Sequence, residues 1–275
     1  MKFHELIGNA DRPQIEDWCR SKTQQAYLGE HTALARVLGN HLMYVDTRDL
    51  SLAPHMLMNG YWEMWVTEAI CNYVRPGMRC IDVGANCGYF TLLLAELVGE
   101  KGEVVAYEPV VEFVNLLRKT IEINGAPAQV LPRAASNARA NKAFYVSEVY
   151  GGSGSLSRFD GSRPISGLQS GVATSKIDDD LGALRIDFVK IDVQGHEMEA
   201  LEGMQGIISR ATTIAIAMEF SPTEHPDPKA SLEKIRSYGL TIRTIGTDGV
   251  VRPVASEDAI LADTGDHRML WLSKG

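Results

Sequence analysis

Apolar and polar positions alternate along most of this chain with the periods of strands and helices. From residue 79 onward, strand-like and helix-like segments follow one another in turn. That order is typical of α/β proteins, and it predicts a doubly wound, mostly parallel sheet. The predicted strands cover residues 80–83, 104–108, 128–131, 186–191, 213–220, 240–245 and 269–272, and the predicted helices cover residues 90–98, 109–124, 197–209 and 228–238.

The predicted helix over residues 90–98 has almost no polar face, so it should be buried against the sheet. The helix after it carries an apolar stripe on one side only and ends at Asn124-Gly125, a common end signal. The first helix is therefore expected to be enclosed on all sides, and the second to be buried on one side and exposed on the other.

Residues 1–75 are predicted to form a lead-in of helix, short hairpin and helix that packs on the core. The first helix should cover residues 12–27, with Pro13 in its first turn. Strands at 34–38 and 41–46 are joined at Gly39-Asn40, a typical hairpin signal. Residues 62–74 have apolar positions at helical spacing and stop before Pro76-Gly77.

Residues 150–172 are rich in glycine and serine and are predicted to form a flexible loop. A segment of this length is too long for a simple connection in a compact domain. Such loops often act as lids or binding loops, so Ser153 and Ser155 are candidate substrate contacts. The alternative is an insertion without a function.

A glycine turn follows the strand at 80–83. Gly84 and Gly88 have GxxxG spacing, and Glu108 ends the next strand twenty residues later. Glycines allow a sharp turn and a close ligand, and the amides at the start of the following helix face that ligand. A carboxylate at the end of the second strand can accept hydrogen bonds from two ribose hydroxyls. The alternative is an ordinary strand-to-helix turn with a solvated glutamate.

This turn differs from the GxGxxG turn that places amides on a dinucleotide pyrophosphate. A nucleoside without phosphates, namely S-adenosylmethionine, suits the wider turn better. Small residues at 134–136 would leave room for its adenine ring. The predicted cofactor-binding residues are Asp82, Gly84, Asn86, Gly88, Tyr89, Glu108, Pro109, Ala135 and Ser136.

A second group of polar residues lies at 190–197. The apolar strand before it ends at Asp192, turns through Gly195 and starts a helix at His196 and Glu197. Ligands of open α/β sheets lie outside the carboxyl ends of the strands, so Asp192 should face the same crevice as Glu108. Lys190 is two residues before Asp192 and projects to the same face. The pair either serves a ligand or is an ion pair that fixes the turn.

Composition narrows the classes of function. The chain has 275 residues, 45% of them hydrophobic, and a net charge of −8. This charge argues against nucleic acid as a partner, because such binding needs clustered Lys and Arg. We expect no membrane span, no secretory signal and a cytoplasmic location, with the four cysteines as free thiols. Their spacing gives no metal motif, and no carboxylate cluster predicts a metal.

The motifs IDVGANCGYF (81–90), AYEP (106–109), TSKIDD (174–179) and KIDVQGHE (190–197) resemble those of the FkbM family of S-adenosylmethionine-dependent methyltransferases. The segments GYWE (60–63) and MEFSP (218–222) extend the resemblance. It implies a class I methyltransferase domain over residues 76–275, a seven-stranded sheet with the last strand antiparallel, and O-methylation of a sugar, glycolipid or polyketide hydroxyl. The family usually has Glu where this chain has Gln194, so Gln194 is left out of the catalytic set.

The predicted chemistry is methyl transfer to a hydroxyl of a small-molecule or carbohydrate acceptor. Asp192 is the preferred base or orienting group, with Lys190 setting its charge, and His196 is the rival base. Glu197 and Glu219 are further candidate acceptor contacts. Three alternatives stay open: a nicotinamide-dependent oxidoreductase, a nucleic-acid methyltransferase, and a non-catalytic module that only binds S-adenosylmethionine.

Overall fold

The computed structural model describes residues 2–146, 154–156, 167–262 and 268–275. The strands are β1 (Gln25–Gly29), β2 (Thr32–Val37), β3 (His41–Asp46), β4 (Arg79–Val83), β5 (Glu103–Tyr107), β6 (Ala128–Leu131), β7 (Ala134–Ala135), β8 (Ala140–Val146), β9 (Gly154–Ser155), β10 (Gly167–Ser175), β11 (Phe188–Ile191), β12 (Ile214–Phe220), β13 (Thr241–Ile245), β14 (Val251–Pro253) and β15 (Arg268–Lys274). The helices are α1 (Arg12–Lys22), α2 (Ala53–Met58), α3 (Met64–Tyr73), α4 (Tyr89–Val98), α5 (Val111–Asn124), α6 (Ile177–Leu181), α7 (Glu197–Glu202), α8 (Gln205–Arg210), α9 (Pro228–Ser237) and α10 (Glu257–Leu261).

The largest sheet has the strand order β14-β13-β15-β12-β11-β4-β5-β6, eight strands within the described residues. Neighbours from β12 to β6 run parallel, and β15 lies antiparallel between β12 and β13. This order confirms the predicted doubly wound, mostly parallel α/β fold with an antiparallel last strand. The strand β14 pairs with β13 at the edge and adds one strand to the seven expected.

The chain order reverses between β4 and β11, which are neighbours in the sheet. From β4 the chain moves outward through β5 to β6, and it later returns to β11 on the other side of β4. A reversal of this kind opens a crevice at the carboxyl ends of the two central strands, where ligands of open α/β sheets bind. The fold therefore brings the two predicted polar groups to one edge.

The central strands separate two apolar clusters, one on each face of the sheet. Along β11, Phe188 belongs to one cluster, and Val189 and Ile191 belong to the other. Residues 90–95 and 97–98 of α4 are buried in the first of these clusters, with Glu96 partly exposed, as the lack of a polar face predicted. Buried strands covered on both faces are typical of parallel sheets.

The lead-in lies against α5. The amide of Leu42 donates to Oδ1 of Asn124 at 3.0 Å, and the amide of Tyr44 donates to Oγ1 of Thr120 at 3.0 Å. Strands β2 and β3 form the expected hairpin. The helix predicted over residues 12–27 was too long, because α1 ends at Lys22 and β1 follows it. The exposed, mixed composition of β1 has no alternation that could have marked it as a strand.

The single helix predicted over residues 197–209 is wrong, since the chain forms α7 and α8 instead. The carboxylate of Asp178 accepts hydrogen bonds from the amides of Gly206 and Ile207, both at 2.7 Å. It thereby caps the start of α8 from a distant part of the sequence. The break depends on this tertiary contact, which helical periodicity cannot show.

The predicted loop over residues 150–172 is partly a strand. Residues 167–172 belong to β10, which pairs with β7 and with β8 in a smaller sheet. Gly154–Ser155 form β9 at the edge of that sheet. Ser153 and the rest of the predicted loop lie outside the described residues. Pairing with the distant β7 and β8 outweighs the weak strand propensity of glycine and serine here.

Candidate active site

A cavity of about 450 Å³ opens at the carboxyl ends of β4, β5, β11 and β12. The predicted site residues that line it come from both halves of the sequence. They are Gly84, Asn86, Tyr89, Glu108, Pro109, Ala135, Lys190, Asp192, His196 and Glu219. The fold thus brings together the two polar groups that lie about a hundred residues apart in the sequence.

The glycine turn is held against the strand ends on both sides. The amides of Gly84 and Ala85 both donate to the carbonyl of Tyr107 at 3.0 Å. At Gly84, φ is +82°, and an added Cβ would lie 1.9 Å from the carbonyl oxygen of Asp192. Only glycine suits that position, both for its backbone conformation and for its contact with the end of β11. The turn and Asp192 therefore form one packed unit.

Glu108 directly follows β5 and is 5% exposed. Its Oε2 accepts the amide of Asn86 at 2.8 Å, and its Oε1 accepts the amide of Val110 at 2.8 Å. Burial raises the pKa of Glu108 to about 7, although these two amides oppose the shift. Each carboxylate oxygen can accept a second hydrogen bond, so the group can still receive two ligand hydroxyls.

The wall beyond Glu108 is made of small and apolar residues. Ala134 and Ala135 line the cavity beside Tyr107, Phe113 and Phe144. The small residues leave room for a flat aromatic ring, and the binding of an adenine there stays a prediction. Ser136 is buried behind it, where its hydroxyl lies 3.1 Å from Nε2 of His196 and accepts from Nζ of Lys142 at 3.1 Å. Ser136 is therefore a support of this wall and does not line the cavity.

Lys190 and Asp192 form an ion pair at the end of β11, with Nζ of Lys190 at 2.9 Å from Oδ2 of Asp192. Lys190 is buried, and Asp192 is partly exposed. The ammonium also lies 4.4 Å from the ring centroid of Phe90. Burial alone would raise the pKa of Asp192, but the lysine lowers it to about 2. Burial alone would lower the pKa of Lys190, and the charges of Asp192 and Asp82 raise it instead. The cavity therefore holds a fixed carboxylate.

Gln194 lies between two of the acidic groups. Its Nε2 donates to Oδ1 of Asp192 at 3.0 Å and to Oε2 of Glu219 at 2.7 Å. Burial, together with the negative charge of Asp192, raises the pKa of Glu219 well above its ordinary value. Glu219 thus holds its proton more strongly than Asp192 does. The amide at position 194 can bridge the two groups, which a carboxylate could not do without adding charge.

His196 lines the cavity and is 5% exposed. Burial lowers the pKa of His196 to about 4, and the charge of Lys142 acts in the same direction. The ring is consequently neutral at neutral pH. An ordinary histidine titrates closer to neutral pH, and His196 differs because burial excludes water from its imidazole.

Three predicted site residues lie beneath the cavity and not on its wall. Glu197 is 1% exposed, and its Oε1 accepts the amides of Val193 at 3.1 Å and Gly195 at 3.0 Å. We therefore revise its role from an acceptor contact to a support of the turn after Asp192. Asp82 is buried and its Oδ2 accepts the hydroxyl of Thr91 at 2.6 Å. Gly88 is the N-cap of α4, with φ at +106°.

The lead-in also contributes to the cavity wall, which the sequence did not predict. This part of the wall consists of Ser51, Leu52, Trp62 and Glu63. Glu63 has φ of +36°, and its buried Oε2 has no hydrogen-bond partner among the described residues. The GYWE segment was a signal for Glu63, but the spacing of its apolar residues indicated only a core helix. Ser153 lies outside the described residues, and of Ser155 only the backbone is described.

Three further observations concern the described part of the chain. Its side chains include no group of three or more His, Cys, Asp or Glu residues arranged to hold a metal ion. None of its helices has the length and apolar character needed to cross a bilayer. Cys19, Cys71, Cys80 and Cys87 are free and buried.

Curated proteins match part of this sequence. A protein-L-isoaspartate O-methyltransferase of Methanothrix thermoacetophila is 41% identical over 72 residues, which are 26% of this chain and 30% of that protein. Protein-L-isoaspartate O-methyltransferase 1 of Arabidopsis thaliana is 34% identical over 74 residues, 27% of this chain and 30% of that protein. The chain therefore matches about a third of the length of these curated relatives.

Solved structures give weaker similarities. A methyltransferase FkbM of Methylobacillus flagellatus has a TM-score of 0.45 at 16% identity over 74% of this chain and 53% of that one. A 16S rRNA methyltransferase of T. thermophilus, solved with AdoMet and guanosine, has a TM-score of 0.49 at 17% identity, over 91% of this chain and 52% of that one. Neither similarity carries an argument about function.

A family model matches a longer part of the chain, which runs from the glycine turn to just beyond the end of α9. The model of the methyltransferase FkbM domain matches residues 82–240, more than half of the chain. Both strand ends that face the cavity lie within this region. The chain belongs to the FkbM methyltransferase domain family.

Proposed function

We propose that this protein is an S-adenosylmethionine-dependent O-methyltransferase that acts on a hydroxyl of a sugar, glycolipid or polyketide-type acceptor. The methyltransferase class and the cofactor follow from the family. The observation that carries the proposal is that Glu108 and Asp192, at the ends of β5 and β11, line one cavity. The first can hold a nucleoside, and the second can orient an acceptor hydroxyl beside it.

The residues of the first half fit the cofactor. Glu108 offers free acceptor positions for two ribose hydroxyls, and Ala134 and Ala135 leave space beside them for a purine ring. The backbone of Gly84 and Asn86 lines the part of the cavity between Glu108 and Asp192. When bound, S-adenosylmethionine supplies a methyl group that is already activated by its sulfonium. The protein's task is then mainly to position the acceptor.

Asp192 is the group that we propose to orient the acceptor hydroxyl. Lys190 and Gln194 fix its carboxylate and hold it ionised, so it accepts a hydrogen bond in a constant direction. Its pKa near 2 makes it a weak base, because a general base works best with a pKa near the working pH. The rival His196, with a pKa near 4, is also a weak base. Both are better suited to orientation than to proton removal.

The acceptor side is proposed to bind a small molecule or a carbohydrate in preference to a nucleic acid. It contains Trp62 and Leu52 beside the acidic groups Glu63, Asp192 and Glu219. Aromatic faces with hydrogen-bonding carboxylates suit hydroxyl-rich rings, whereas the carboxylates and the net charge of −8 oppose phosphate backbones. The free, buried cysteines are consistent with the cytoplasmic location that we propose.

Labelled S-adenosylmethionine tests the proposal when it is incubated with wild-type protein and a panel of acceptors. The panel contains neutral glycosides, a glycolipid, polyketide alcohols, a peptide with isoaspartate, and RNA. We expect label in a methyl ether of one of the hydroxyl acceptors. Label in the peptide or in the RNA alone would contradict the proposed acceptor class, and binding of NAD in place of S-adenosylmethionine would contradict the whole proposal.

Replacement of Asp192 by Asn tests the acceptor half on its own. We expect the affinity for S-adenosylmethionine, measured by calorimetry, to stay within about threefold, because Asp192 lies outside the proposed nucleoside contacts. Turnover should fall by about 10²-fold or more, since a misoriented hydroxyl loses the effect of positioning. If turnover survives in Asp192→Asn and is lost in His196→Ala, the roles of the two residues must be exchanged.

A further inference from the structure

Glu63 has a conformation that its neighbours in the sequence do not explain. It is the residue just before α3, and its backbone is left-handed, with φ of +36° and ψ of +61°. Residues other than glycine seldom adopt this region, and such strain is often found at functional sites. Its side chain makes no cap hydrogen bond to the helix that it precedes. The strained conformation of Glu63 is therefore not explained by capping of α3.

The carboxylate of Glu63 faces the cavity in an unusual state. Glu63 lines the cavity together with Lys190, Asp192 and Glu219. Its Oε2 is buried and has no hydrogen-bond partner among the described residues. A buried carboxylate oxygen without a partner is costly, so such a group is normally bonded to protein, water or a ligand. The natural partner here is a donor brought in by the acceptor.

The other polar groups at this end of the cavity are already engaged. Asp192 accepts from Lys190 at 2.9 Å and from Gln194 at 3.0 Å. Glu219 accepts from Gln194 at 2.7 Å. His196 lies 3.1 Å from the hydroxyl of Ser136. Each of these groups thus has a protein partner that fixes its orientation, whereas Oε2 of Glu63 has none among the described residues.

We propose that Glu63 is the proton acceptor of the methyl transfer, and that Asp192 shares the hydrogen bond of the same hydroxyl and so orients it before the transfer. This role rests on the function proposed above. As the acceptor oxygen forms its bond to the methyl carbon, the sulfur–carbon bond breaks and its electron pair stays on sulfur. The O–H proton passes to the carboxylate of Glu63. The products are a methyl ether, a neutral thioether and a protonated Glu63, so charge and atoms balance.

The electrostatic surroundings of Glu63 suit this exchange of a proton. Burial raises the pKa of Glu63 to about 7, helped by the charge of Asp192 and opposed by that of Lys190. The third group that interacts with it is Glu219, whose own pKa is raised well above the ordinary value. A base with a pKa close to neutral pH is ionised often enough to accept a proton and basic enough to hold it.

The first experiment needs no acceptor. Protein labelled with ¹³C-glutamate is titrated between pH 5 and pH 9 and followed by infrared spectroscopy, for wild type, Glu63→Gln and Glu122→Gln. Glu122 is an exposed glutamate on α5 and serves as the matched control. We expect wild type and Glu122→Gln to show a carboxylic-acid band that disappears near pH 7 and that is reduced in Glu63→Gln. Equal titrations in Glu63→Gln and wild type would overturn the proposal.

The second experiment uses the hydroxyl acceptor identified in the labelled panel. We expect Glu63→Gln to lower kcat by about 10²- to 10⁴-fold and to remove the rise of kcat with pH around 7. Its affinity for S-adenosylmethionine, measured by calorimetry, should stay within about threefold of wild type. Glu63→Asp should recover part of kcat, and Glu122→Gln should match wild type.

The two proposals fail in different ways. An unchanged kcat and pH profile in Glu63→Gln, with normal methylation by wild type, would overturn the role of Glu63 and leave the methyltransferase function intact. Absence of methyl transfer to any hydroxyl acceptor by wild type would overturn the proposed function, and the infrared titration would still decide whether Glu63 takes up a proton near pH 7. A loss of binding in Glu63→Gln would indicate a structural role instead.

Discussion

At the scale of single residues, the buried carboxyl groups differ sharply in charge although they lie around one cavity. Lys190 lowers the pKa of Asp192 to about 2, whereas burial and the charge of Asp192 raise the pKa of Glu219 well above its ordinary value. Glu108 and Glu63 both titrate near pH 7 because burial disfavours their charge. The charge of each group is thus set by its neighbours, which the sequence alone did not show.

The affinity for S-adenosylmethionine should depend on the ionisation of Glu108. Only the carboxylate can accept hydrogen bonds from both ribose hydroxyls, so the affinity should rise by about tenfold between pH 6 and pH 8. Replacement by Ala should weaken binding by about 1.5–3 kcal/mol, the usual size of hydrogen bonds to a charged group. Calorimetry at both pH values checks this. Glu108→Gln is the control: its side chain does not titrate, so its affinity for S-adenosylmethionine should lose the part of the pH dependence that comes from Glu108.

The strained backbone of Glu63 gives a second prediction at this scale. Replacement by Gly removes the left-handed strain, worth about 1–3 kcal/mol, and loses about 0.5–1 kcal/mol through the greater freedom of the unfolded chain. We therefore expect the free energy of unfolding of Glu63→Gly to equal or exceed that of wild type, while methyl transfer falls. Urea denaturation measures the stability. A loss of more than about 1 kcal/mol would contradict this.

At the scale of elements, the site depends on how two strand ends and one turn pack together. The turn after β4 contacts the end of β11 at Gly84, and the turn after β11 is held from below by Glu197. The lead-in adds the far wall, just before α3. None of these elements forms the cavity alone, and each is held by contacts with parts of the chain distant in sequence.

Replacement of Gly84 by Ala should disturb both halves of the site. The added Cβ would lie 1.9 Å from the carbonyl oxygen of Asp192, so β11 and the turn must separate. Gly77 has nearly the same φ, +85° against +82°, with nothing within 4 Å of its added Cβ. Gly77→Ala therefore measures the cost of backbone conformation alone. We expect Gly84→Ala to be less stable than Gly77→Ala by about 1–3 kcal/mol in urea denaturation. Equal losses of stability in the two variants would show that the contact between residue 84 and Asp192 relaxes at little cost, and would contradict this prediction.

At the scale of the whole molecule, several buried carboxyl groups make folding depend on pH. Burial raises the pKa of Glu197 to about 8, and it raises the pKa of both Glu63 and Glu108 to about 7. Above pH 4.5 the unfolded chain loses these protons while the folded chain keeps them. Stability then falls as the pH rises. His196 and His225, whose pKa burial lowers to about 4, act in the opposite direction, but only below about pH 6.5.

We therefore expect the free energy of unfolding to decrease between pH 6.5 and pH 8. Glu197 contributes up to about 1.4 kcal/mol per pH unit to this slope. Glu197→Gln keeps the shape of the protonated acid and does not titrate, so its slope should be smaller by about that amount. Urea denaturation at pH 6.5, 7.2 and 8 in the absence of cofactor provides the measurement. The same slope in Glu197→Gln and in wild type would contradict the buried, neutral state of Glu197.

The sequence by itself determined the parts that depend on local patterns. Apolar runs and helix-end signals predicted the strands β4, β5 and β6 and the mostly apolar helix α4, since these elements are set by burial and by neighbouring residues. The glycine turn and Glu108 line the cavity, and their role in binding a nucleoside stays a prediction. The sequence motifs predicted the FkbM family, which the match to the family model confirms. These features span no more than about thirty residues each.

Only the tertiary structure decided the features that join distant segments. The break between α7 and α8, the strand β10 in a glycine-rich segment, and the place of Glu63 on the cavity wall all depend on contacts across the fold. The same holds for ionisation, because burial by surrounding residues lowers the pKa of His196. It holds also for the position of Glu197, which is buried beneath the turn whose amides it accepts. Burial and charge are sums over neighbours in space, and no pattern of neighbours along the chain contains them.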